Sequence, residues 1–164
     1  MFTAVVLSLF VQAADPYPVD YGLIAQVMLQ ARAVGITANI IVRVPPSWQE
    51  RGYVNAKTNV RDDVIVITVS PILLDDLDAD AQNAMFAHEL AHSQNECGPF
   101  YANDAERDAC EHAADALAAT WVGRQSMIRS LCQLMASSWR WKYSADFAAM
   151  IGRIKYLHER TDIP

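Results

Sequence analysis

The sequence predicts an α+β domain with a small, mostly antiparallel sheet and a predominantly helical C-terminal half. Runs of β-branched residues occur at 38–44 and 64–70, and beyond residue 71 the apolar side chains recur at helical spacing only. The composition agrees: 52% hydrophobic and 20% charged residues over 164 positions suffice for one core and are too apolar for a disordered chain. A formal net charge of −6 argues against nucleic acid or anionic lipid as the main partner.

The chain begins with an apolar stretch that carries no charged side chain before Asp15. Residues 1–14 are too few to span a bilayer as a helix. They read as a signal peptide cut after Ala13, with Val11 and Ala13 as the small residues before the cut, or as the first core segment. The first reading places the protein in the periplasm or outside the cell, the second in the cytoplasm. Residues 15–164 then form one domain, and no transmembrane anchor is expected.

Residues 19–35 have helical spacing and end at Gly35, a C-cap residue. Residues 38–44 read as a strand stopped by Pro45-Pro46. Residues 48–63 are polar, with one short extended piece around 53–56, and 64–70 is the strongest strand signal. Ser70-Pro71 opens a helical turn, Asp78 caps a helix over 79–95, and Asn103 with Glu106 caps another over 104–122. Two more helices are expected over 125–137 and 144–159.

The chemistry lies in two of these helices. His88 and His92 are four apart, so both imidazoles share one helix face and can reach one metal ion. Glu89 lies one step round the helix, placed to take a proton from a water that zinc has acidified. A two-histidine zinc site needs a third protein ligand. Downstream, Glu111 and Asp115 are again one turn apart: Glu111 can complete the site, and Asp115 can hold the ring nitrogen that a histidine does not give to the metal. Glu106 is a rival third ligand, but no acidic residue follows it at the same spacing. Ala113, Ala114 and Ala116 favour close packing of this helix over a solvated acidic face.

The pair of segments HELAH, 88–92, and Glu111-His-Ala-Ala-Asp115 resembles the gluzincin metallopeptidases, and most of all their M48 group. The likeness extends over roughly 36–159, from Asn55-Ala56 through the zinc helix to the terminal segment FAAMIGRIKYLHE, 147–159. It implies a zincin-like (minigluzincin) metallopeptidase domain and one Zn2+ per chain on His88, His92 and Glu111. It further implies Glu89 as general base, Asp115 behind the ligands, and Arg153 as a catalytic residue that helps hold substrate or the oxyanion. The expected activity is that of a zinc endopeptidase on a protein or peptide, with substrate extended along an edge strand at 53–58 or 64–70. The chain departs from the group in having Phe147 and Ala148 where a His-Pro pair is usual. Tyr143, Tyr156 or His158 could substitute. Two alternatives follow: a zinc-binding sensor that cleaves poorly, and a regulatory peptidase of the ImmA/IrrE type.

Other residues have plainer expectations. His112 reads as a packing or surface histidine, His158 as a partner of its helix dipole, and Trp139 and Trp141 as core or interface residues, with a binding patch around Arg140 and Lys142 as the alternative. Met85, Met127, Met135 and Met150 are assigned to the core. Of the three cysteines, Cys97 and Cys110 flank the motif region and are the expected pair in an oxidising compartment, with three reduced buried thiols as the alternative.

Overall fold

The structure, a computed structural model, describes residues 21–52, 54–95, 102–141 and 147–163. The N-terminal stretch on which the signal-peptide reading falls lies outside them, as do Tyr53, Cys97 and Tyr143.

The described elements run α1 (Tyr21–Ala33), β1 (Asn39–Arg43), α2 (Pro46–Glu50), β2 (Ala56–Arg61), β3 (Val64–Val69), α3 (Pro71–Asp76), α4 (Ala79–His92), α5 (Asp104–Val122), α6 (Arg124–Arg140) and α7 (Phe147–Glu159). The architecture is α+β. The expected caps form: Gly35 at φ +83 ends α1, with Ile36 N–H donating to Ala31 O. Ser70, Asp78 and Asn103 each accept a backbone N–H at the start of a helix. Gly123, at φ +89, is the one residue between α5 and α6; a side chain there would be strained.

The sheet corrects the sequence expectation. Its order is β1-β3-β2, with β1 parallel to β3 and β2 antiparallel to it, so it is mixed rather than mostly antiparallel. α2 and β2 lie between β1 and β3 in the chain and supply the long connection that a parallel pair requires. β3 is central, which removes 64–70 as an edge, while β2 has β3 as its one described neighbour. β2 also runs through Arg61, well past the short extended piece expected near 53–56, because pairing with β3 overrides its polar composition. The short helix α2 was not foreseen.

Two apolar clusters meet at α4. Val27, Ile40, Val42, Ile65, Ile67, Ile72 and Leu73 pack with Ala81, Met85, Phe86 and Leu90 of α4 on the sheet side. On the helical side, Ala84, Ala87 and Ala91 pack with Ala114, Ala118, Met127, Leu131 and Leu157. A helix covered on two sides has little need of amphipathicity, and α4 is buried from Ala84 through Ala91. The alanine facings let α4 and α5 approach closely, so short side chains can meet between them.

Met85, Met127 and Met150 are core residues, whereas Met135 is only half-buried. Trp139 is 78% exposed and Trp141 42%, which excludes them from the core. Cys110 is disulfide-bonded, and Cys132 is free and exposed. Among the described residues no helix is long and apolar enough to cross a membrane.

Candidate metal centre

His88, Glu89 and His92 come from the C-terminal half of α4, and Glu111 and Asp115 from α5, which packs against it. The Nε2 atoms of His88 and His92 are 3.0 Å apart. Glu111 Oε2 is 3.3 Å from His88 Nε2, and its Oε1 is 3.6 Å from His92 Nε2. Two imidazole nitrogens and a carboxylate oxygen thus converge, all within 4.8 Å of one another. Zinc bonds of about 2.0–2.1 Å in tetrahedral geometry separate neighbouring ligand atoms by roughly 3.3 Å, so both the donor set and its spacing fit that ion.

Asp115 is fully buried, and its Oδ1 lies 2.9 Å from His88 Nδ1. That contact turns Nε2 of His88 toward His92 and Glu111. Glu106, the rival ligand, is exposed and accepts Ala102 N–H at 2.6 Å at the start of α5, away from the histidines.

Arg153 of α7 closes the cluster. Its Nε and Nη2 donate to Asp115 at 2.7 and 2.6 Å, and Nη1 lies 2.9 Å from Glu111 Oε2. The sequence offered no signal for this pairing, since 38 residues separate Arg153 from Asp115. Glu89 is buried and meets Thr58, a β2 residue that sequence reasoning missed; the Oγ1 of Thr58 is 2.7 Å from Glu89 Oε2 and 2.9 Å from Glu89 O.

Burial sharpens the charges. Burial and the Arg153 charge push the His88 imidazole down, but Asp115 and Glu111 outweigh them and hold it up at about 9. Burial and the neighbouring His88 lower His92 to about 4. Burial raises Glu111, yet the His88 hydrogen bond and the charges around it bring it down to about 2. Asp115 is likewise opposed by burial and is held well below the usual carboxylate range by Arg153 and His88. Burial lifts Glu89 above its ordinary value, against the pull of His88 and Thr58.

The plainer expectations also find places. His112 stacks on Tyr156 with ring centroids 4.3 Å apart, and Tyr156 accepts a hydrogen bond from Arg160. His158 sits in the last turn of α7. Phe147 meets Trp139 edge-on.

Comparisons with protein families, curated proteins and solved structures find no match to this chain.

Proposed function

We propose that the protein is a zinc-dependent endopeptidase of M48-like, gluzincin type. The convergence of His88, His92 and Glu111 on one point, with Asp115 set behind His88, is the observation that carries the proposal. A surface cluster of the same residues would have no reason to bury the carboxylate of Asp115.

His88, His92 and Glu111 hold the ion. Zinc at this place would polarise a carbonyl and acidify a water. Glu89 takes the proton released when water adds to the peptide carbonyl, and passes it to the departing amine. Its burial suits it to hold that proton between the two events. The protein or peptide substrate lies extended along β2, the edge strand nearest Glu89. Arg153 is the candidate for steadying substrate or the oxyanion, and its present partners are Asp115 and Glu111. The Cys110 disulfide supports an oxidising compartment, periplasmic or secreted.

A second reading, a zinc-binding regulatory protein with weak or no cleavage, draws on Phe147, whose place in an aromatic contact leaves no imidazole there. Casein digestion by the zinc-loaded protein separates the two. The peptidase reading expects cleavage that a chelator abolishes and added zinc restores, and zinc content that falls in Glu111→Ala but not in Glu106→Ala. Zinc bound without any cleavage would favour the regulatory reading, and undiminished zinc in Glu111→Ala would remove the ligand set itself.

A further inference from the structure

Thr58 touches Glu89 twice, and nothing in the peptidase motif asks for it. Its strand gives the contact meaning. Ser70 N–H donates to Asn55 O at 2.9 Å, so residues 55 and 70 form a hydrogen-bonded pair. In an antiparallel ladder such pairs alternate along the strand. With the register Ala56↔Val69 and Thr58↔Ile67, the backbone groups of residues 57 and 59 face β3. Those of Ala56, Thr58 and Val60 face the free edge. Thr58 therefore offers its N–H and C=O outward along the edge while its half-buried side chain turns to α4.

At α4 the hydroxyl meets two groups of one residue. Glu89 O lies in the last turn of the helix, where carbonyls lack a partner four residues on; Ser93 N–H goes to Leu90 O instead. Glu89 Oε2 is nearer, at 2.7 Å. A hydroxyl has one proton and two lone pairs. It can donate to the carboxylate, and once Glu89 has received a proton it can accept from it while its own proton turns to Glu89 O. Both hydrogen-bonding arrangements are available without movement of either backbone.

We infer that Thr58 is a positioning residue for Glu89, which fixes the carboxylate of the base from the same strand residue that offers backbone hydrogen bonds to an extended substrate. The inference rests on the peptidase reading for its consequence in rate, but not for its geometry.

The test compares Thr58→Val, which keeps shape and strand propensity and loses the hydroxyl, with Thr58→Ser, which keeps the hydroxyl. Both are expected to fold and to bind zinc as the parent does. Thr58→Val should lower kcat on a peptide substrate by about 10- to 100-fold with little change in KM, the effect of losing a hydrogen bond to a charged group. Thr58→Ser should return to within a few-fold of the parent. In a Glu89→Gln background Thr58→Val should have almost no further effect, because the two then act through one group. A purely structural cap on α4 would instead lower stability and act equally in both backgrounds. Crystal structures supply a readout apart from activity: the Glu89 carboxylate should be displaced in Thr58→Val and in place in Thr58→Ser. Parental kcat in Thr58→Val, or an unmoved carboxylate, overturns the inference. A displaced carboxylate in a protein whose parent hydrolyses nothing upholds the positioning and overturns the peptidase reading.

Discussion

Two charge clusters lie toward opposite ends of α4 and are built from the same parts. At the N-terminal end, Asp78 accepts Ala81 N–H, Gln133 and both Nε and Nη2 of Arg129. Toward the C-terminal end, Asp115 accepts Nε and Nη2 of Arg153 beside His88 and Glu111. Each has a carboxylate gripped by a guanidinium fork. They differ in water. Arg129 is 57% exposed in its side chain, whereas Asp115 is fully buried. Solvent can replace a lost partner in the first cluster and cannot in the second. A buried ionic network is a poor way to make a fold stable, because desolvation consumes most of what attraction returns. Its presence between two alanine-faced helices is what the proposed metal chemistry would call for.

The largest break in this comparison should come from Asp115→Ala. It leaves Arg153 buried without its fork partner and should cost about 3–5 kcal/mol of unfolding free energy, read from urea denaturation. The same variant should bind zinc about 10- to 100-fold more weakly. Parental stability and zinc affinity together would make Asp115 an ordinary carboxylate. Joining Asp115→Leu to Arg153→Met should be less destabilising than Asp115→Ala, because the buried guanidinium goes with the carboxylate that grips it and only its contact with Glu111 is lost besides, while zinc affinity stays low. A double variant less stable than the single one would mean that the ion pair is there for stability.

The next effect is one of pH on metal binding. His88 is held up at about 9, so at neutral pH it carries a proton that a metal must displace. Zinc affinity should therefore rise by about tenfold per pH unit from the ordinary histidine range toward 9. Calorimetry in buffers of different ionisation enthalpy should show close to one proton released per zinc. Zinc binding independent of pH in that window would contradict the charge assigned to His88.

The smallest effect is expected at Asp78. Hydrogen bonds from Ala81 N–H and Gln133, and the pairing with Arg129, hold its carboxyl at about 2 instead of 3.8. A carboxyl depressed by folding stabilises above its unfolded value and loses that contribution as pH falls through the folded one. Acid titration from pH 4 to pH 2 should thus weaken the parent more than Asp78→Asn. The stability lost by Asp78→Ala at neutral pH should stay well below that of Asp115→Ala.

The parts of this molecule legible in its sequence are those decided within a turn or two of chain. The caps at Ser70, Asp78 and Asn103 and the spacing of His88, His92, Glu111 and Asp115 are of that kind. The alanines of α5 announced the close packing that brings the two pairs together. What stayed hidden depends on pairing over distance. The polar strand β2 takes its conformation from β3, and the parallel partnership of β1 with β3 has no local signature. Thr58 was lost with its strand. The bidentate grip of Arg153 on Asp115 is set by how α7 packs on α5, and the exposure of Trp139 by where α6 emerges from the core.

The central claim is that a buried glutamate beside a metal centre does proton work without holding the metal. Glu89→Gln tests it most directly, since the amide keeps the volume and can still bond Thr58 but cannot take up a proton. Zinc content and casein cleavage should be measured on the parent and the variant side by side. The account predicts one zinc per chain in both, and cleavage reduced by on the order of 10²- to 10⁴-fold in the variant. Equal cleavage by Glu89→Gln, or loss of its zinc, would contradict it.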